Sequence, residues 1–182
     1  PRRSVLGPRA AGGSGRGGTY STVYNDHEDN SVYNRDRIRE EAAARRWELV
    51  EKVITDPTQV ESVGQSLLSE HVDAIWISKD RIMTSQPGPL IEAAHARGVP
   101  VFASDAGTVE TFSAVATRSV SPYQIGQHVG AVVLEVLDGK APSQMPVSAV
   151  SETTTFISAK AVGQLDLELP NEVLRNATVF GT

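Results

Sequence analysis

The segments VDAIWISKD (residues 72–80) and RGVPVFASDAGTVE (97–110) share one pattern: a short apolar run, a serine, and an aspartate one or two residues later. Apolar runs of this length between polar residues are typical of strands buried on both faces of a parallel sheet. We therefore predict strands at DAIWIS (73–78) and VPVFAS (99–104).

Helical and strand-like segments alternate on both sides of these two runs. The pattern predicts, before them, strand 19–24, helix 31–47, strand 48–54 and helix 57–68. It predicts, around and after them, a helix up to Arg97, helical turns at 105–112, strand 114–120 and a long helix from Ser121 to Gly139. Such alternation predicts an α/β fold built on a doubly wound parallel sheet.

The two ends of the chain do not follow this alternation. Residues 1–18 are rich in glycine and arginine with almost no large apolar side chain, which predicts a disordered tail. Residues 19–145 are predicted to form the α/β lobe. From residue 146 a connector leads to a strand at 151–158, a short helix at 159–163, a proline-started helix and a last strand. This C-terminal piece is predicted to be either an appended subdomain or a segment that crosses to another lobe.

The composition excludes several kinds of chemistry. The chain has no cysteine, so disulfides, thiolate metal sites and cysteine nucleophiles are absent. The net charge of −5 argues against nucleic acid as the main partner. Gly13, Gly15 and Gly18 match G-x-G-x-x-G, but they precede a strand instead of following one, so the dinucleotide-binding geometry fails. No motif requires catalysis, a cofactor or a metal.

Ligands of doubly wound sheets bind in the loops at the carboxyl ends of the strands. Those loops are predicted at Tyr24–Ser31, Ser78–Ser85, Ser104–Thr108 and Val120–Tyr123. Each is rich in hydroxyl, amide or carboxylate groups, as a small polar ligand requires, although any one of them alone also fits an ordinary helix cap.

Five segments in order resemble one family. They are VYNDHEDNS (23–31), VDAIWISKD (72–80), RGVPVFASDAGTVE (97–110), SVSPYQIGQHVGAVVLEVLDGKAPSQMPV (119–147) and TTTFISAKAVGQLDLELPNEVL (153–174). The chain resembles the substrate-binding proteins of bacterial ABC importers with the type 1 periplasmic-binding fold, the group that includes tryptophan- and tyrosine-binding members. Two positions depart from the family pattern: Lys79 replaces a threonine, and the first loop lacks a proline.

The resemblance implies a lobe that closes on a first lobe around a small, amino acid-like ligand, without making or breaking a bond. It implies a membrane permease as partner, and a location in the periplasm or, lipid-anchored, at the outer face of the cytoplasmic membrane; residues 1–18 show no signal-peptide pattern. It also implies that residues 146–182 return to the first lobe, so that Phe156 and Ile157 would be exposed in this chain.

Carried over position by position, the resemblance implies nine ligand-binding residues, namely Asn25, Asp26, Asn30, Ser31, Ser78, Asp80, Ser104, Asp105 and Tyr123. Asp105 would accept a hydrogen bond from a ligand ammonium group, unless it only caps the following helix. The backbone near Ser31 would hold a carboxylate, because the N-terminus of a helix favours negative charge. Tyr123 would cover the ligand.

Two other classes of protein share this fold. One is the effector-binding domain of a transcription regulator, and the other is a small Rossmann-like or flavodoxin-like enzyme. The fold alone does not separate them from a solute-binding protein.

Overall fold

A computed structural model of the chain describes residues 3–4 and 18–181. Its strands are β1 (Arg3–Ser4), β2 (Thr19–Tyr24), β3 (Glu48–Val53), β4 (Ala74–Ile77), β5 (Val101–Ala103), β6 (Ala116–Ser119), β7 (Thr154–Ser158), β8 (Leu167–Glu168) and β9 (Ala177–Phe180). Its α-helices are α1 (Asp29–Arg45), α2 (Val60–Ser69), α3 (Arg81–Ser85), α4 (Gly88–Ala96), α5 (Ala106–Phe112), α6 (Pro122–Leu137), α7 (Ala159–Gln164) and α8 (Asn171–Leu174). Short 3-10 helices occupy Pro57–Gln59 and Pro142–Gln144.

The central sheet is parallel, with strand order β3-β2-β4-β5. Alternate residues of its strands place fully buried Val23, Ile75, Ile77 and Val101 on one face, where they pack in a core with α2, α3, α4 and α5. The other face carries α1. Helices therefore lie on both faces, and the predicted doubly wound α/β class is confirmed.

The face that carries α1 is incompletely covered. An apolar groove of about 300 Å³ runs along it and is lined by Tyr20, Trp47, Trp76 and Phe102, among others. Tyr20 and Trp47 pack against each other at its edge, with ring centroids 4.3 Å apart. This groove lies on the face of the sheet, away from the loops that follow the strands.

The expectation that Phe156 and Ile157 are exposed is wrong. Phe156 is 6% exposed and Ile157 is 2% exposed. The reason is that β7 pairs antiparallel with β6, and β9 pairs parallel with β7, so the C-terminal piece extends the fold instead of leaving it. Phe156 joins the main core and stacks on Phe180 with ring centroids 5.8 Å apart.

The exposed apolar surface is found on α6 instead. No residue of this 16-residue helix is buried. Its exposed side chains include Ile125 at 47%, Val129 at 52%, Leu134 at 61% and Leu137 at 75%. An amphipathic helix is normally stabilised by packing of its apolar face, so α6 lacks the contacts that such a sequence usually makes.

Two predicted boundaries need correction. The predicted loop Ser78–Ser85 contains helix α3, which forms because Asp80 caps it: the Asp80 side chain accepts a hydrogen bond from the backbone N–H of Met83 at 2.8 Å. The first predicted helix begins at Asp29, two residues before Ser31. The prediction of a disordered tail concerns residues 1–18 and lies outside the described residues except at β1, which pairs with β8, and Gly18.

Candidate functional site

The carboxyl ends of β2, β4 and β5 lie side by side. Val23 pairs with Ile77, and Ile77 pairs with Ala103, so these three strands end in register. The loops that follow them, at residues 25–31, 78–80 and 104–108, therefore meet along one edge of the sheet, which we call the rim. The rim brings together eight of the nine residues that were predicted to bind a ligand.

Asp80 ties the first rim loop to the second. Its Oδ2 accepts hydrogen bonds from the backbone N–H of Asn25 and from the hydroxyl of Ser31, both at 3.2 Å, while Oδ1 accepts the N–H of Met83. Asp80 is 2% exposed and Ser31 is fully buried. These two side chains therefore position the loops, and their polar atoms are committed to each other.

Burial raises the pKa of Asp80, and its three hydrogen bonds oppose that rise. The pKa is therefore higher in the folded protein than in the unfolded chain. At a pH between the unfolded-state pKa and the folded-state pKa of Asp80, the folded protein binds more protons than the unfolded chain does. The free energy of unfolding therefore falls as the pH rises through that interval.

Glu28, which was not predicted from the sequence, is a second connection between the two loops. Its carboxylate accepts hydrogen bonds from the side-chain amide of Asn25 at 2.8 Å and from the backbone N–H of Arg81 at 3.2 Å. The Asn25 side-chain oxygen accepts the N–H of His27 at 3.0 Å, so both ends of this buried amide are occupied. Asn25 thus shapes its loop.

Ser78 and Ser104 carry the clearest unused polar groups of the rim. Ile77 and Ala103 are paired on the adjacent strands β4 and β5, and Ser78 and Ser104 are the residues that follow them. The two serines therefore neighbour each other at the ends of these strands. Both hydroxyl oxygens are buried and have no hydrogen-bond partner among the described residues. Ser119, at the carboxyl end of β6, has a hydroxyl in the same state and was not predicted. A buried hydroxyl without a partner costs free energy that a bound polar group would recover.

Asp105 acts as the N-cap of α5. Its Oδ1 accepts the backbone N–H of Thr108 at 3.0 Å, and its Oδ2 accepts the Thr108 hydroxyl at 2.7 Å. The residue is only half-buried, so its carboxylate keeps accessible lone pairs. By contrast, no side chain caps the N-terminus of the longer helix α1, which begins at the end of the first rim loop.

The remaining predicted residues are more exposed. Asp26 lies 3.7 Å from the His27 imidazole, and Asn30 donates its side-chain N–H to the carbonyl of Lys79 at 2.6 Å. Tyr123 is 73% exposed on the first turn of α6, where its hydroxyl accepts a hydrogen bond from Gln127 at 3.3 Å. No hydrogen bond within the described residues links Tyr123 to the other eight.

The parallel sheet, its polar rim and the extension by β7 and β9 define one lobe of a type 1 periplasmic binding protein. The chain belongs to the family described as ABC transporter substrate binding protein, which matches residues 19–180. The predicted resemblance is thereby confirmed.

The relatives are substrate-binding proteins. A tyrosine-binding protein of Clostridioides difficile is 27% identical over 146 residues, which cover 80% of this chain and 42% of the relative. A ligand-free, open structure of a Clostridium difficile substrate binding protein with adhesive properties is 26% identical with a TM-score of 0.73, covering 91% of this chain and 55% of that one.

A third similarity concerns the fold. A Streptococcus pneumonia ABC domain solved in complex with L-Trp has a TM-score of 0.77 at 21% identity, covering 90% of this chain and 55% of that one. The chain thus spans about half the length of the relatives it matches.

The described residues show neither a membrane-spanning helix nor a cluster of metal ligands. None of the helices there combines the length and apolarity needed to cross a membrane. That part of the chain also holds no group of three or more metal-ligating side chains placed to bind an ion.

Proposed function

We propose that this chain is the second lobe of the solute-binding component of an ABC importer, and that its rim binds a small amino acid-like ligand without chemistry. The observation that carries the proposal is the pair of buried, unpartnered hydroxyls of Ser78 and Ser104. They lie beside loops that are fixed by Asp80, so the polar groups offered to a ligand are held by a rigid support.

The ligand class follows from what the rim offers. A zwitterionic amino acid needs an acceptor for its ammonium group and donors for its carboxylate. Asp105 supplies a half-buried carboxylate, and the N-terminus of α1, which no side chain caps, supplies a favourable dipole and the backbone N–H groups that precede Ser31, whose own N–H is bonded to the carbonyl of Glu28 at 2.9 Å. Relatives named for tyrosine binding and solved with L-Trp support this class. We infer that Asp26, Asn30 and Tyr123 contact the ligand from the periphery.

A first lobe would complete the site from the opposite side. The apolar face of α6 is exposed in this chain, and the relatives are about twice as long. We propose that α6 and the connector after it cross to the first lobe, which covers the apolar face, and that β7 returns to the lobe described above. This assignment replaces the expectation that the C-terminal strand crosses.

Matched isoleucine substitutions test the crossing helix. Ile125 on α6 is 47% exposed, whereas Ile77 in β4 is 1% exposed. In this chain we expect Ile125→Ala to change the free energy of unfolding by less than about 0.5 kcal/mol, because about half of the side chain is already exposed to solvent. Ile77→Ala should cost about 2–5 kcal/mol. Chemical denaturation measures both. Equal costs would show that α6 packs on this lobe.

The proposed partner and location follow from the family. Closure around the ligand would present the protein to a membrane permease, and we propose a location in the periplasm or, lipid-anchored, at the outer face of the cytoplasmic membrane. Neither a cofactor nor nucleic acid is required for this role.

Calorimetric titration with the standard amino acids tests the proposed function directly. In a two-lobe form of the protein, we expect saturable binding of at least one amino acid and no consumption of it after prolonged incubation. Turnover of the ligand, or no heat with any amino acid but binding of a nucleotide, would favour a Rossmann-like enzyme and contradict the proposal.

A further inference from the structure

A second polar cavity lies outside the rim, between α4, α5 and α7. Its volume is about 190 Å³. The polar residues around it are Glu92 and His95 from α4, Thr111 and Ser113 from the end of α5, and Lys160 and Gln164 from α7. None of these residues belongs to the rim, so the cavity is independent of the proposed function.

One of the residues that line this cavity is a histidine with an unused ring nitrogen. His95 is 6% exposed, and its Nε2 is buried without a hydrogen-bond partner among the described residues. Burial, and then the charge of Lys160, lower the pKa of His95, so its imidazole is neutral at neutral pH. A neutral imidazole carries its proton on one of its two ring nitrogens, and a buried ring nitrogen without a partner is unfavourable whether it donates or accepts; in the Nε2–H tautomer it presents a donor to the cavity.

The charged groups around His95 indicate what charge a ligand of this cavity carries. Lys160 is exposed and takes part in no ion pair within the described residues, while Glu92 brings one negative charge to the same cavity. A metal cation would meet the Lys160 ammonium, and a dianion would meet the Glu92 carboxylate. A single carboxylate can pair with Lys160 and accept a hydrogen bond from His95.

We propose that this cavity binds a small monocarboxylate, whose oxygens lie between the Lys160 ammonium and the Nε2–H of His95. Gln164, one turn after Lys160 on α7, lines the same cavity, and its amide would donate to the second oxygen. The carboxylate satisfies the buried donor and places a negative charge beside the imidazole. The ligand can be a free acid or a carboxylate of a protein partner, because both present the same group.

Acetate is the probe for this proposal, and the His95 ring is the reporter. The histidine Cε1–H signals of the full chain are followed against pH by NMR, with sodium acetate replacing sodium chloride at constant ionic strength. His95→Gln identifies the His95 signal. We expect acetate to raise the pKa of His95 by about 1 or more, since a nearby negative charge favours the imidazolium. His27, which is exposed, should not respond.

Two lysine substitutions and a titration with inorganic phosphate test whether the response of His95 depends on Lys160 and on a carboxylate. Lys160→Gln should abolish the response of His95 to acetate, whereas Lys140→Gln, which removes an exposed lysine paired with Glu135, should preserve it. A peptide with a free C-terminal carboxylate that shifts His95 more than acetate does would indicate a protein partner as the source. No shift with acetate, the same shift in Lys160→Gln, or an equal shift with inorganic phosphate would overturn the proposal.

Discussion

Asp105→Asn is expected to weaken amino acid binding by about 30-fold to several thousand-fold in a two-lobe form of the protein. The loss corresponds to about 2–5 kcal/mol, the usual cost of removing one partner from a buried, charge-assisted pair. The fold should be retained, because an asparagine oxygen can still accept the N–H of Thr108 that Asp105 accepts at 3.0 Å. The ligand would lose only the negative charge that its ammonium group requires. Calorimetry measures the affinity, and thermal unfolding measures the fold.

Asp56→Asn is the matched control for that change. Asp56 also caps a helix and accepts the N–H of a threonine, Thr58, at 2.8 Å. It follows β3, the edge strand three positions from β5, which separates the two strands by about 14 Å. Asp56→Asn should leave the affinity unchanged. Unaltered affinity in Asp105→Asn would remove Asp105 from the site and favour a neutral ligand.

Asp80→Ala is expected to destabilise the lobe by about 3–5 kcal/mol, the usual cost of breaking a buried network that contains a charge. The substitution leaves the N–H of Met83 and the hydroxyl of Ser31 without their acceptor, and the N–H of Asn25 keeps only the Ser31 hydroxyl oxygen at 3.1 Å. At roughly 2–4 °C per kcal/mol for a chain of this size, the melting temperature should fall by roughly 10 °C.

Asp105→Ala provides the comparison for Asp80→Ala. It removes a helix cap without opening the network between the rim loops, so its cost should be about 1 kcal/mol. If Asp80→Ala and Asp105→Ala lower the melting temperature equally, then Asp80 caps α3 and contributes nothing further.

The sequence was sufficient where local pattern decides the structure. β2 has the predicted bounds, and α6 begins and ends as its Ser121 cap and Gly139 predict, because strand periodicity and helix caps are written in neighbouring residues. Asp80 and Asp105 look alike in sequence, since each follows a strand and a serine. Only the fold distinguishes them, because the groups that donate hydrogen bonds to Asp80 belong to Asn25 and Ser31, which lie 55 and 49 residues away in sequence.

The same limit explains the wrong expectation about β7. The burial of Phe156 depends on antiparallel pairing with β6, which is a contact between distant segments that no local pattern reveals. The Ser121 cap and Gly139 predicted helix α6 correctly, but whether its apolar face is covered depends on which surfaces the rest of the fold presents to it.

The most direct test of the central claim is an NMR titration of the ¹⁵N-labelled chain with L-tyrosine and L-tryptophan, followed by the other standard amino acids. If the rim is half of an amino acid site, weak but saturable shifts should appear at the amides of Ser78, Ser104 and Asp105 and in the first turn of α1. Shifts confined to the apolar groove of Trp76 and Phe102, or no shifts at the rim with any standard amino acid, would contradict it.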